Sequence, residues 1–296
     1  MSALVVDCGA SSTKWAALES DGSIKRGNAA YLTGHIFNDD EWRRVKEIID
    51  GIAKSAPTVS RAIFGITGLE KGTPIAERII DIARSALGVE EVEVRNDMEL
   101  AHAALFQPGE GILIYGGTGS VAVSRDKSGE LIRAGGYGFI IGDEGGGFWI
   151  GREALRHVTE LWDLGKDPQE SILGNQILSA ASPQDWNGLR EYVYKGGRQA
   201  VAALAPIVGE AVRAGSAEAR DILVSAGNHL AELTKRLLTR VPTSQFAAMG
   251  GVFKLDSILI ESLTTQLGYP VEYIDDDIPE RWLRNHSQVL DEGSGR

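Results

Sequence analysis

The sequence has a single cysteine, Cys8, among its 296 residues, and it is also short of basic residues. One thiol excludes an intramolecular disulfide, an all-cysteine zinc site and a four-thiolate cluster within one chain, and it favours a reducing, cytoplasmic location. Lys and Arg number 30 against 41 Asp and Glu, for a formal net charge of −11. A surface of this charge repels nucleic acid and anionic membranes, so we expect neither as a partner.

Several common signatures are missing as well. The sequence contains no Walker-type phosphate loop, no Gly-x-Gly-x-x-Gly after a strand and no Gly-x-Ser-x-Gly elbow. The five histidines show no metal-ligand spacing. No stretch reaches the roughly 18 apolar residues of a membrane span, and the first residues lack a basic leader. These absences disfavour Walker NTPases, the usual dinucleotide oxidoreductases, serine hydrolases and membrane proteins.

Glycine is abundant where proline is scarce. The chain has 36 glycines and only 9 prolines, so its glycine content does not indicate a disordered linker. Hydrophobic residues make up 43% of the chain, which is enough for full cores, and the length suits two lobes. The glycines are therefore expected at turns and close backbone approaches.

A weak internal repeat predicts how the chain is organised. The segment from Ala3 and the segment from Gly111 each read as a strand, a turn of small and hydroxyl residues, and a second strand. A polar hairpin signal and a third extended segment follow in both copies. Helical and strand patterns then alternate, including a helix over Gly197–Arg213. The sequence therefore predicts an α/β fold of two duplicated lobes, residues 1–108 and residues 109–296.

The two turns are candidate phosphate sites, because small residues let backbone N–H groups converge on an anion and hydroxyls add donors. Ordinary hairpin turns would have the same composition, but repetition at equivalent places favours function. We call residues 9–14 the first turn and residues 116–120 the second turn. The candidate phosphate ligands are Gly9, Ser11, Ser12, Thr13 and Lys14 in the first turn, and Gly117, Thr118, Gly119 and Ser120 in the second.

Two aspartates follow apolar strands. Asp7 ends the first strand, where it either meets a hydrated Mg²⁺ beside phosphates or caps its own turn. Asp97 follows the strand Val92–Val94 and precedes a helix. This position suits a general base at the carboxyl end of a strand, and it suits a helix N-cap equally well.

The densest motif is residues 134–153, which we call the glycine-rich segment. Its glycines surround the adjacent carboxylates Asp143 and Glu144, and apolar residues are interleaved throughout. Asp143 can accept paired sugar hydroxyls, with Tyr137 as a stacking or hydroxyl partner, although a plain loop capped by Asp143 stays open. Gly250 and Gly251 follow a predicted strand, where a glycine pair permits the close approach of a base or sugar.

These motifs together resemble the BadF/BadG-type branch of the actin-like, Hsp70 and sugar-kinase superfamily, which includes N-acetylglucosamine kinases. Residues 7–14 are similar to its first phosphate motif, residues 117–120 to its second, and Gly250–Val252 to its adenosine motif. Residues 136–155 are the most specific match. The resemblance implies two actin-like (ribonuclease H-like) lobes with an active-site cleft between them.

The resemblance further implies an ATP-dependent sugar kinase that phosphorylates an amino sugar, with N-acetylglucosamine and its 6-hydroxyl as the first expectation. Asp97 would be catalytic, Asp7 would hold Mg²⁺ through water, and both turns with Gly250 and Gly251 would bind ATP. The sugar ligands implied are Thr118, Gly136, Tyr137 and Asp143. Glucosamine, N-acetylmuramate and another hexose stay open as substrates, and a homodimer stays open as the assembly.

Two features depart from the family pattern and bear on the substrate. Tyr137 stands where relatives commonly have Trp, and Gly34 stands where the animal N-acetylglucosamine kinase has a sugar-binding Asn. A non-catalytic sugar or nucleotide sensor on the same scaffold is the alternative from another class. Activation of a dehydratase or reductase is disfavoured, because its shared iron–sulfur cluster needs four thiolates and a dimer of this chain supplies two.

Overall fold

The structure is a computed structural model that describes residues 2–9, 12–182 and 185–292, the last six by their backbone alone. Helices and strands alternate along most of the chain. In chain order the strands are β1 (Ala3–Cys8), β2 (Thr13–Leu18), β3 (Ile24–Ala29), β4 (Arg61–Ile66), β5 (Glu91–Asn96), β6 (Ile112–Gly116), β7 (Ser120–Arg125), β8 (Leu131–Gly135), β9 (Phe246–Met249) and β10 (Glu272–Tyr273). The helices are α1 (Asp39–Ser55), α2 (Pro74–Leu87), α3 (Asp97–Leu105), α4 (Gly147–Asp163), α5 (Ile172–Ala181), α6 (Trp186–Ala202), α7 (Ala205–Arg213), α8 (Ala217–Leu238), α9 (Ser257–Leu267) and α10 (Ile278–Glu292).

Contacts divide the chain into a first unit, the chain up to Pro108 with the segment from Asp276, and a second unit, Gly109–Asp275. The first unit contains a mixed five-stranded sheet in the order β3-β2-β1-β4-β5. The antiparallel strands β1, β2 and β3 form a meander, and β1, β4 and β5 are parallel. Strand β1 is buried along most of its length, and α1 and α2 pack their apolar sides into the same core as β1 and β4. The three parallel strands end at one edge of the sheet, where α/β proteins commonly bind ligands.

The second unit repeats this topology with the order β10-β9-β6-β7-β8. Here β6 is antiparallel to β7 and parallel to β9, as β1 is to β2 and β4. Its core combines β6 with the buried faces of α4, α8 and α9. The matching strand order of the two sheets confirms the duplicated α/β architecture that the internal repeat predicts.

Local sequence signals explain where several helices begin. Asn38 and Glu41 form a capping box at the start of α1, so two backbone donors gain partners. Thr73 caps α2 just before Pro74, and Gly88 ends this helix in the left-handed conformation. These signals require no tertiary contact, which is why the sequence predicts both helices well.

The C-terminal segment differs from the sequence-based division at residue 108. Contacts group the segment from Asp276 with the chain up to Pro108, and they group Gly109–Asp275 as the second unit. Trp282 and Leu283 of α10 are buried, and Asn285 Nδ2 donates to the Ala104 carbonyl at 2.8 Å. Helix α10 therefore completes the first unit, because its apolar side covers β1, β2 and α3.

The predicted helix over Gly197–Arg213 is also wrong in its bounds. The structure has α6 and α7 instead, separated after Ala202, and α6 contains a non-helical residue at Gly197. Gly197 has φ 58° and ψ −149°, a conformation that essentially only glycine adopts. The apolar residues on both sides keep helical spacing, so periodicity alone does not reveal the break.

We expect Leu283→Ala to lower the free energy of unfolding by about 2–5 kcal/mol, because it opens a cavity under a fully buried side chain. Urea unfolding followed by tryptophan fluorescence measures the loss. Leu164→Ala is the matched control, since this leucine is 68% exposed. Equal, small losses in both variants would contradict the packing of α10 on the first unit.

Candidate functional site

Three polar side chains meet at the carboxyl edge of the first sheet. Asp7 lies near the end of β1, Thr67 follows β4 directly, and Asp97 follows β5 as the first residue of α3. The strand register pairs Asp7 with Gly65 and Ile66 with Asn96, so the three strand ends finish almost level. This edge of the first sheet therefore carries two carboxylates and a hydroxyl.

Asp97 has hydrogen-bond partners in Thr67 and in the first turn of α3. The Thr67 hydroxyl lies 2.6 Å from Asp97 Oδ2 and 3.1 Å from the Cys8 carbonyl, so it can donate to either acceptor. The N-cap of α3 is Asn96, whose side chain accepts from the Met98 N–H at 3.0 Å. Asp97 Oδ1 accepts from the same N–H at 3.0 Å. Burial raises the pKa of Asp97 above its ordinary value, although these hydrogen bonds oppose the shift. The N-cap alternative for Asp97 is therefore wrong.

Asp7 is half-buried among other carboxylates. Burial, followed by the charges of Asp97 and Asp277, raises the pKa of Asp7 from 3.8 to about 7, and Lys14 opposes this rise. Lys14 is the cross-strand partner of Asp7 on β2. Asp277 comes from the segment that starts at Asp276, and its Oδ1 accepts from the Glu280 N–H at the start of α10. This arrangement disfavours a bare Asp7 carboxylate at neutral pH and favours a cation beside it.

The adjacent Cys8 is buried, and burial raises the pKa of its thiol, with the Asp7 charge adding to the effect. A thiol that stays protonated is a poor nucleophile and a poor metal ligand. Across the sheet Cys8 faces Thr13, which is also buried. The thiol is part of the packed interior of the first sheet.

The first turn is described at Gly9 and from Ser12 onward, whereas Ser11 lies outside the described residues. The Gly9 N–H donates to the Ser12 carbonyl at 3.0 Å, which closes the turn. Ser12 and Lys14 are exposed, and Thr13 is buried. Ser12 and Lys14 are thus accessible to a ligand, and the phosphate role of the whole turn stays a prediction.

The second turn is joined to the N-terminus of α4. Carbonyl oxygens of Gly117 and Thr118 accept from the N–H groups of Gly147 and Phe148 at 2.8 and 2.9 Å. The Ser120 hydroxyl is buried and donates to the Glu144 carbonyl at 2.8 Å. Ser120 therefore ties the turn to the glycine-rich segment, and Thr118 offers the more accessible hydroxyl for a ligand.

Gly250 and Gly251 follow β9 beside the end of β6. Gly250 has φ 109°, and a Cβ on it would lie 2.3 Å from the Gly116 carbonyl oxygen, so only glycine fits there. Gly251 starts a short 3-10 helix, is exposed and has open space around its Cα. The two glycines and the second turn thus lie at the same edge of the second sheet.

Asp143 forms a buried ion pair. Its side chain is 4% exposed, and Oδ2 accepts from Arg198 Nη2 at 3.0 Å. A Cβ on Gly119 would lie 2.3 Å from Asp143 Oδ2, so this carboxylate packs against the second turn. The loop alternative, in which Asp143 serves as a cap, is wrong for α4, because Gly146 occupies the N-cap position without a side-chain bond.

The other predicted sugar ligands lie at the start of the glycine-rich segment. The Gly136 N–H donates to the Ser120 carbonyl at 3.1 Å, which links this segment to the second turn. Tyr137 is 62% exposed, and the Arg133 guanidinium lies 5.5 Å from its ring centroid. Second-turn residues, Gly136 and Asp143 therefore belong to one connected region of the second unit, whereas Asp7 and Asp97 belong to the first.

The carboxylates at the carboxyl edge of the first sheet suit a hydrated cation better than a cation that only protein side chains coordinate. Within the described part of the chain, no three His, Cys, Asp or Glu side chains are grouped so that they could hold a metal ion directly. Mg²⁺ usually keeps several waters and uses one or two carboxylates together with phosphate oxygens. Asp7, with its raised pKa, fits that role.

Thr67, Asp277 and Arg198 are the site residues that the sequence reasoning missed. Thr67 directly follows an apolar strand, as Asp7 and Asp97 do, so the same signal could have identified it. Asp277 precedes α10 as a helix cap would, yet nothing local connects it with Asp7. Arg198 lies 55 residues from Asp143 in the chain and has no local signal beyond the Gly196–Gly197 pair before it.

Solved structures share this fold. A candidate N-acetylglucosamine kinase from Chromobacterium violaceum superposes with a TM-score of 0.71 at 22% identity, over 96% of this chain and 98% of that one. A ROK-family glucokinase from Streptomyces griseus, solved with glucose and AMPPNP, superposes with a TM-score of 0.62 at 14% identity, over 99% of this chain and 100% of that one. The fold is therefore that of the actin-like sugar kinases, which confirms the predicted fold class.

The family follows from the sequence match. Residues 4–271 match the BadF/BadG/BcrA/BcrD ATPase family, and the chain belongs to it. An N-acetylmuramic acid/N-acetylglucosamine kinase from Clostridium acetobutylicum is 32% identical over 64% of this chain and 64% of its own length. An N-acetyl-D-glucosamine kinase from Dictyostelium discoideum is 26% identical over 67% of this chain and 63% of its own length. The alignments thus span a little under two thirds of each relative.

We expect the stability of the first unit to depend on pH through Asp7. A native pKa of about 7 against an ordinary 3.8 means that the native state holds an extra proton between these values, so the free energy of unfolding falls as pH rises through this window. Asp7→Asn removes this fall, and without ligands the variant should be more stable than the wild type at pH 8.

Urea unfolding between pH 4 and pH 8 measures this difference. Asp81→Asn is the matched control, since its carboxylate is 78% exposed in the same unit. A difference between Asp7→Asn and the wild type that does not change with pH would contradict the raised pKa.

Proposed function

We propose that this protein is an ATP-dependent sugar kinase that transfers the γ-phosphoryl group of ATP to a hydroxyl of an amino sugar, N-acetylglucosamine first and its 6-hydroxyl first. The observation that carries the proposal is Asp97, a carboxylate with a raised pKa at the carboxyl edge of a parallel sheet. Its hydrogen bond from Thr67 fixes its orientation, and Asn96 occupies the N-cap position of α3. Membership of an ATPase family supports ATP as the phosphoryl donor.

Asp97 would accept the proton of the attacking sugar hydroxyl. The sugar oxygen then forms a bond with the γ-phosphorus, the bond from that phosphorus to the β–γ bridging oxygen breaks, and ADP leaves. A general base works best when its pKa is near the working pH, and burial moves the pKa of Asp97 in that direction. The Thr67 hydroxyl would keep Oδ2 in place during this transfer.

The remaining candidate residues divide into phosphate and sugar roles. Backbone N–H groups and exposed hydroxyls of the two turns would orient the phosphates, and Gly250 and Gly251 would leave room for the nucleoside. Mg²⁺ held through water by Asp7 would neutralise charge on the phosphates. Thr118, Gly136, Tyr137 and Asp143 would bind the sugar, with Asp143 accepting hydrogen bonds from its hydroxyls. Catalysis would then rest on positioning and charge stabilisation.

The substrate proposal rests on the activities for which two relatives are named. Both are named for N-acetylglucosamine, and the Clostridium acetobutylicum protein is named for N-acetylmuramic acid as well. N-acetylmuramate is therefore the second candidate, ahead of glucosamine and other hexoses. The departures at Tyr137 and Gly34 fall on positions associated with sugar binding, so they bear on this choice.

Two functions of other kinds are less well supported. A non-catalytic sensor would not need Asp97 to be held ready by Thr67 at the sheet edge. A dehydratase activator needs an exposed, ionisable thiol for its shared cluster, whereas Cys8 is buried and its pKa is raised.

Among the described residues no helix is long and apolar enough to cross a membrane. A cytoplasmic location and a homodimer stay predictions.

We expect ADP release to depend on an added sugar, with the highest kcat/KM for N-acetylglucosamine. A coupled assay would compare this sugar with N-acetylmuramate, glucosamine, N-acetylmannosamine and glucose at saturating MgATP. Omitting the sugar measures background hydrolysis. ADP release that is the same with and without every sugar would overturn the proposed activity.

We expect Asp97→Asn to lower kcat by roughly 10²–10⁴-fold, as is typical of a lost general base. Asn96 still caps α3, so thermal stability and ATP affinity should change little. Asp81→Asn is again the matched control. A stable Asp97→Asn protein that keeps more than about a tenth of the wild-type kcat would exclude a catalytic role for Asp97.

A further inference from the structure

The ion pair of Asp143 and Arg198 is made under strain. Asp143 has φ 65°, and within the described residues it and Ser182 are the two non-glycine residues with positive φ. A left-handed conformation is uncommon at a residue other than glycine, and it persists where the surroundings demand it. Here it turns the carboxylate into the interior of the second unit, where its side chain is 4% exposed.

The ion pair packs directly on the second turn. A Cβ on Gly119 would lie 2.3 Å from Asp143 Oδ2 and 2.9 Å from Arg198 Nη2. These are the two atoms that form the ion pair, so both partners reach the same glycine. Any side chain at this position would separate them. The missing side chain of Gly119 thus serves the ion pair as well as the turn.

A break in α6 lies immediately before Arg198 and determines the position of this residue. Gly197 leaves the helical conformation immediately before Arg198, and a Cβ on Gly196 would lie 2.3 Å from Ala200 Cβ. The Tyr192 hydroxyl donates to the Ala200 carbonyl at 2.8 Å, which fastens the helix before the break to the helix after it. The break is therefore a defined structure that presents Arg198 to Asp143.

Arg198 uses one end of its guanidinium for Asp143. Its side chain is 36% exposed, and its Cζ lies 5.5 Å from the Phe139 ring centroid. The ion pair joins Arg198 Nη2 to Oδ2 of Asp143, and Oδ1 is not part of this contact. Arg198 therefore holds the carboxylate by one of its two oxygens.

We propose that Arg198 is a positioning residue for sugar binding, which holds Asp143 Oδ2 against Gly119 so that Oδ1 faces a substrate hydroxyl. This inference rests on the proposed function and extends it to a residue outside the motifs of the sequence. Arg198 acts through Asp143 and needs no contact with the sugar. Its loss leaves a buried carboxylate without its cation and without a fixed orientation.

We expect Arg198→Met to raise the KM for the sugar about tenfold or more, because a hydrogen bond to a charged group is lost, with little change in the KM for ATP. Arg198→Lys should restore most of the affinity, since the native contact uses a single nitrogen and an ammonium can replace it. If packing on Phe139 were the role of Arg198, methionine would serve better than lysine. Both KM values and kcat are measured with N-acetylglucosamine.

A double-mutant cycle tests whether Arg198 acts through Asp143. In the Asp143→Asn background, Arg198→Met should change kcat/KM for the sugar less than about threefold, because the charge that it holds is already gone. Lys195→Met is the control on the same helix, since Lys195 is 78% exposed and pairs with Glu191 at the surface. An equal loss from Arg198→Met in both backgrounds would overturn the inference.

A second route reaches the same ion pair without changing either partner. Gly197→Ala introduces strain at a conformation reserved for glycine, although the space around its Cα is open. Displacement of Arg198 should then raise the sugar KM in the same direction as Arg198→Met. Thermal unfolding confirms that each variant is folded, and Arg198→Gln replaces Arg198→Met if the latter unfolds.

The results separate this inference from the proposed function. A wild-type protein that phosphorylates none of the sugars overturns both. An active wild type whose sugar KM is unchanged in folded Arg198→Met, or in Arg198→Gln where that replaces it, overturns the positioning role alone. Both are supported if Arg198→Met raises the sugar KM, if Arg198→Lys restores most of the affinity for the sugar, and if Arg198→Met has little effect in the Asp143→Asn background.

Discussion

The parallel pairing of β4 with β1 on one side and β5 on the other is the constraint on which the candidate site residues of the first unit depend. Its hydrogen-bond register makes the three strands end level, and this alone brings Asp7, Thr67 and Asp97 to one edge from distant parts of the sequence. A slip of one residue would turn every side chain of a strand to the other face of the sheet. Burial at this edge raises the pKa values of both Asp7 and Asp97.

The second sheet has the same topology and a different chemistry. Where the first sheet ends in carboxylates, the second ends in the glycines and hydroxyls of the second turn and in Gly250. Its acidic group, Asp143, comes from the glycine-rich segment and not from a strand end, and it is neutralised by Arg198. The duplicated scaffold thus carries two carboxylates at the sheet edge of one copy, and glycines, hydroxyls and an ion-paired carboxylate in the other.

The sequence predicts those features whose signals are local. The repeat of strand, turn and strand is visible because each copy lies within about 25 residues, and Asp7 and Asp97 stand out because each follows an apolar strand. Arg198 could not be found this way, because its partner is 55 residues away and the break before it lies inside helical spacing. The division at residue 108 places the segment from Asp276 in the second lobe, whereas its contacts are with the first, since an amphipathic segment does not specify which sheet it covers. Composition also does not show that the Ser120 hydroxyl has a partner within the protein, the Glu144 carbonyl.

The position of α10 also orders events during synthesis of the chain. The first unit begins with β1 but receives Trp282, Leu283 and Asp277 from the segment that follows Gly109–Asp275. A ribosome therefore exposes the complete second unit while the first still lacks the helix that covers β1 and β2. The second unit can close its core during translation, whereas the environment that perturbs Asp7 forms only after the last helix has emerged. N-terminal segments commonly fold first, whereas the N-terminal core of this chain needs a helix that is synthesised after the whole second unit.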